Sequence, residues 1–64
     1  MRILLDEIMN RQGLSNTQAS ILTGIARSSI SDIRNGTIPR MDTMEQLAAG
    51  LKMRISDLYE SKYK

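Results

Sequence analysis

Sixty-four residues with a formal net charge of +2, no cysteine and no histidine make one small domain. They exclude a disulfide scaffold and the common zinc ligands, so helix packing has to supply the stability. No apolar run reaches the length of a membrane span. The opening MRILLDEIMN carries two acids and lacks a small-residue cleavage site, so no signal peptide is expected and the chain is expected to be cytoplasmic.

Residues 1 to 12 read as a first helix. Leu5, Ile8 and Met9 recur at helical spacing, with Leu4 beside them and Asp6, Glu7 and Arg11 elsewhere on the circumference. Gly13 closes it, and Leu14 is expected to pack back onto the core. Ser15 has a side-chain oxygen suited to capping a second helix over about residues 16 to 23. Its inner-face candidates are Ala19 and Leu22, with Ile21 exposed.

Gly24 supplies a turn at positive φ, and Ile25 restarts an apolar pattern. A third helix over about residues 26 to 34 then puts Ala26, Ile30 and Ile33 on one side at 100° per residue. Ser28, Ser31, Asp32 and Asn35 fall opposite, flanked by Arg27, Arg34 and Ser29. Asn35-Gly36 is a stop signal. Two short helices joined by a glycine turn are the helix-turn-helix arrangement. The polar face of the third carries short side chains, which suits close approach to a groove about 12 Å wide.

Thr37 to Met41 is expected to be a loop, since Pro39 disfavours helix at Ile38. Asp42 falls in the first turn of a fourth helix, where its charge favours the helix dipole. Met41, Met44, Leu47, Ala48 and Leu51 form that helix's apolar stripe. Met53, Ile55 and Leu58 carry the pattern into a short fifth helix that includes Tyr59 and Tyr63. Five methionines with no phenylalanine or tryptophan imply an adaptable core.

Charge is unevenly spread. Between Arg11 and Met41, Arg11, Arg27, Arg34 and Arg40 stand against Asp32 alone, whereas the flanking segments sum to −1 and zero. A basic surplus confined to the helix-turn-helix and its exit loop fits a polyanionic partner. Catalytic chemistry finds no footing. A serine nucleophile would lack histidine as its base, Asp6 and Glu7 diverge on a helix, and no glycine-rich phosphate loop is present.

The stretch GLSNTQASILTGIARSSISDIRNG, with Pro39, Leu47-Ala48, Leu51 and Asp57-Leu58 following at matching positions, resembles the phage repressor and Cro type of helix-turn-helix domain. The likeness covers nearly the whole chain. It implies an all-α, compact five-helix, lambda repressor-like fold over residues 1–64, with helices two and three forming the helix-turn-helix. It also implies a sequence-specific DNA-binding transcriptional regulator of bacterial or phage origin, with no cofactor, metal, membrane or small-molecule ligand.

By that resemblance, helix three enters the major groove. Base-edge contacts fall to Arg27, Ser28, Ser31 and Asp32, arginine donating to guanine and aspartate accepting from cytosine. Phosphate contacts fall to Asn16, Thr17, Ser29, Asn35, Thr37 and Arg40. Relatives pair near the C-terminus, so a homodimer through Leu58, Tyr59 and Tyr63 is expected on a pseudo-palindromic operator. The family often pairs an arginine of helix one with a glutamate late in helix three. Met9 and Arg34 stand at those positions, leaving Arg34 to meet Glu7 or a phosphate. An alternative on the same fold is an antitoxin-like protein-interaction module, using exposed Ile21 and the C-terminal tyrosines.

Overall fold

The computed structural model describes residues 1–64. Four α-helices carry the chain: α1 (Leu5–Gln12), α2 (Asn16–Thr23), α3 (Arg27–Arg34) and α4 (Met41–Leu51). Two short strands, β1 (Arg2–Ile3) and β2 (Tyr59–Glu60), pair antiparallel with Arg2 opposite Glu60 and Ile3 opposite Tyr59. A single 3₁₀ turn, Ile55–Leu58, leads into β2.

The local signals explain the first three helices. Gly13 leaves α1 at φ 69°, a left-handed conformation that costs glycine no Cβ clash, and Leu14 N–H reaches back to Met9 O at 2.9 Å. Ser15 and Gln18 form a reciprocal capping box. Ser15 Oγ accepts from Gln18 N–H at 3.1 Å, and Gln18 Oε1 accepts from Ser15 N–H at 2.8 Å, which satisfies two otherwise orphaned donors at the start of α2. Gly24 ends α2 at φ 76°.

The core lies where α1, α3 and α4 converge under α2. Leu5, Met9, Ile30, Leu47 and Leu58 are its fully enclosed large side chains. Leu14 and Tyr59 are half-buried against it. α4 lies close against α2 because Gly50 has no side chain. A Cβ there would sit 2.5 Å from Leu22 O and 2.7 Å from Thr23 Cα.

Several expectations from the sequence are corrected. The fold has four α-helices, not five, and a small sheet. The first helix starts at Leu5 because Arg2 and Ile3 pair with the far end of the chain, where Leu4 N–H also donates to Leu58 O at 2.8 Å. Cross-strand pairing here outweighs local helical spacing. The expected last helix is the 3₁₀ turn, and Tyr59 enters a strand, so Tyr59 and Tyr63 do not share a helical face.

Leu22 is 51% exposed. α2 is two turns long and buries the line through Ala19 and Thr23, which leaves Leu22 about 60° to one side of Ala19. Met41 is 65% exposed, so the buried stripe of α4 begins at Met44. Ala26 is an exposed N-cap residue of extended conformation with no side-chain cap bond, not part of the inner face of α3. Ile21, by contrast, is exposed as expected.

Candidate nucleic-acid interface

The α2–α3 corner is fixed by hydroxyls as well as by glycine. Thr23 Oγ1 donates to Ala19 O at 2.7 Å and accepts from Ile25 N–H at 3.2 Å, while Ser20 Oγ donates to Ile25 O. Thr23 is the only buried polar residue in the chain. A buried hydroxyl with both bonds satisfied rigidifies its surroundings, and one left unpaired would be costly. Here it closes the turn that sets the angle of α3. The signal was a threonine immediately before the turn glycine, which amphipathic spacing ranks as neutral.

With Ile30 and Ile33 anchored inward, α3 turns Arg27, Ser28, Ser29 and Asp32 to solvent and leaves Ser31 half-exposed. The structure brings Arg27 to α2, where its Nη1 donates to Thr17 Oγ1 at 3.4 Å. Arg27 has no carboxylate partner, and Asp32 has no cationic one. Beyond α3, Asn35, Thr37 and Arg40 are exposed on the exit segment. Ser29, Asp32, Thr37 and Arg40 line a shallow depression with Pro39 and Thr43. Arg40 lies 3.4 Å from Asp42, both largely exposed; such a surface pair is worth well under 1 kcal/mol and yields readily to another anion.

Arg34 does not meet Glu7 and is not open to solvent. Glu7 pairs instead with Arg2 at 2.8 Å. Arg34 Nε donates to Asp6 Oδ1 at 2.6 Å, Nη1 to Asn16 Oδ1 at 2.7 Å and Nη2 to Asn10 Oδ1 at 2.9 Å. One guanidinium thus joins the end of α3 to α1 and to the start of α2, using the fork of donors that lysine lacks.

The expected interface residues near the C-terminus separate. Leu58 is fully buried in the core of its own chain, so it cannot form a surface contact. Tyr59 is half-buried, with Lys64 Nζ 5.4 Å from its ring centroid. Tyr63 is 85% exposed. Nearby, the Asp57 carboxyl is held below its ordinary value, chiefly because Arg54 N–H donates to it at 3.1 Å; this is local capping of the 3₁₀ turn.

No group of three or more histidine, cysteine, aspartate or glutamate side chains converges as a metal site would require. No helix is long and apolar enough to cross a membrane.

Two short helices locked at a stitched corner, the second presenting a short-chained polar face with an arginine that has no carboxylate partner, define a helix-turn-helix domain. The chain belongs to the Cro/C1-type HTH DNA-binding domain family, whose model matches residues 4–62. No curated protein and no solved structure gave a significant match.

Proposed function

We infer that the protein is a sequence-specific transcriptional repressor that reads the major groove with α3. The observation that carries this is the polar row of exposed Arg27, Ser28 and Asp32 with half-exposed Ser31, on a helix whose opposite side is pinned by Ile30 and Ile33. Arg27 is suited to donate to guanine O6 and N7, Asp32 to accept from cytosine N4, and the serines to pair with either kind of edge. Asp32 repels phosphate, so it contributes discrimination rather than affinity. Asn16, Thr17, Ser29, Asn35, Thr37 and Arg40 surround this row and provide donors for the backbone on either side of the groove.

The protein acts as a homodimer. One module reaches a handful of base pairs, too few to single out a site in a genome, and a second copy squares the discrimination. Tyr63 and the outer edge of Tyr59 are the dimer contacts that remain once Leu58 is assigned to the core, and tyrosine favours interfaces because it joins an apolar ring to a polar tip. A two-fold pair places two α3 helices about 34 Å apart, on half-sites about ten base pairs centre to centre.

Mobility-shift titration with mixed genomic fragments at two salt concentrations tests the DNA-binding core of this proposal. Binding that weakens steeply with salt supports it. Failure to shift DNA at low salt overturns it in favour of a protein-interaction module.

A further inference from the structure

The Arg34 cluster has a feature that a purely structural ion pair would not need: one of its three acceptors is a side chain at the start of α2. Asn16 Oδ1 accepts from Arg34 Nη1 at 2.7 Å. A carboxamide has two ends, and only its oxygen can face a guanidinium, because turning it over would set N–H against N–H. The bond therefore fixes which end points away. Asn16 Nδ2 has no hydrogen-bond partner in the protein, and no unpartnered side-chain nitrogen or oxygen is buried, so Nδ2 opens to solvent as a free donor. The next residue, Thr17, holds Arg27.

We propose that Arg34 is a positioning residue for DNA binding, holding the Asn16 carboxamide oxygen-inward so that Nδ2 is presented to a backbone phosphate. The inference rests on the DNA-binding reading above. Arg34 itself is poorly placed to meet a phosphate. Its side chain is 21% exposed, its three nitrogens are each engaged, and Asp6 neutralises its charge. What it provides is a side chain already ordered in the bound orientation, which removes an entropy cost from association. It also couples that donor to the angle of α3, because the same guanidinium ties α3 to Asp6 and Asn10 on α1.

The test uses a duplex recovered by selection from random DNA and a set of copies in which one phosphate at a time is replaced by a neutral methylphosphonate. Wild-type protein is expected to lose affinity at each contacted phosphate, and by about tenfold at the one that meets Asn16, the scale of one charged hydrogen bond. Asn16→Ala abolishes the loss at that position alone. Arg34→Lys keeps the charge but not the fork, and is expected to reduce the sensitivity at the same position. Asn16→Asp keeps an acceptor for Arg34 and removes the donor, so it folds and loses that sensitivity too.

An Arg34→Lys profile identical to wild type overturns the proposal, as does an Arg34→Ala profile altered at a phosphate different from the Asn16 one. Should the Arg34 variants unfold, nitrogen relaxation of the Asn16 side-chain amide in the free wild-type protein decides: mobility as low as the backbone's is expected, and free rotation overturns the claim. A wild-type protein that binds no duplex overturns the DNA-binding reading and this inference with it. Wild-type binding without the coupled Asn16 and Arg34 effect overturns this inference alone.

Discussion

Arg34, in the last turn of α3, donates to Asp6 on α1 at 2.6 Å across 28 positions of sequence. The contact links α3 to α1, with the acid on α1 and the base on α3. Asp6 is about half exposed, which limits the stabilisation through solvent screening. Asp6→Ala is therefore expected to cost about 1 kcal/mol, and Arg34→Ala about 2 kcal/mol because it strips three acceptors of their donor. Urea unfolding checks both; equal stability of wild type and Asp6→Ala would show that the pair contributes nothing.

Gly50→Ala is expected to destabilise the fold by about 1 to 3 kcal/mol, the range for overpacking. The added methyl would meet backbone, Leu22 O and Thr23 Cα, rather than a flexible side-chain end that could yield. α2 must shift away from α4, and the α2–α3 corner goes with it. Urea unfolding together with DNA affinity reads the effect. A variant as stable as wild type would mean that the two helices do not pack this closely.

Acid sensitivity has a local source in Asp57. Its pKa is lowered from 3.8, first by the Arg54 backbone N–H. A carboxyl lowered on folding stabilises the native state above its unfolded value, and that contribution is lost as pH falls below about 4 through the folded value. Asp57→Asn should remove this part of the acid dependence, so the variant loses less stability than wild type below about pH 4, while the two respond alike from pH 7 down to pH 4. Thermal melts from pH 7 down to pH 2 check it; parallel wild-type and variant curves would rule Asp57 out.

Much of the site was legible in the sequence because its signals are local. Ser15, Gly24, Ile30 and Ile33 fix the bounds and inward face of α2 and α3, and through them the outward face. What was illegible depends on residues distant in sequence. Arg34 could have met Glu7 or a phosphate, and only the folded arrangement of α1 brings Asp6 and Asn10 to it while Arg2 takes Glu7. Ile3 and Tyr59 pair across 56 positions, which converted two expected helical ends into a sheet and buried Leu58. Gly50 gives no local signal within α4, because the reason for it is the backbone of α2.

Salt dependence follows from the count of free cations. With Arg34 neutralised by Asp6, Arg27 and Arg40 are the cations left on the interface. If each displaces one condensed counterion, Arg27 from the groove and Arg40 from a backbone phosphate, the slope of log K against log salt per subunit is about −2. Arg40→Ala is expected to flatten it by about one unit and weaken all sequences alike. A slope unchanged by Arg40→Ala would remove that residue from the phosphate contacts.

Selection of bound sites from random DNA, run in parallel with wild type and Arg27→Ala, tests base reading by α3 most directly. The wild type is expected to enrich a two-fold symmetric motif with half-sites about ten base pairs apart. Arg27→Ala should relax preference at one position in each half-site, at a cost of about 1 to 3 kcal/mol there. Recovery of unenriched random sequence by the wild type, or of the same motif at full strength by Arg27→Ala, would contradict the assignment of sequence recognition to this helix and this residue.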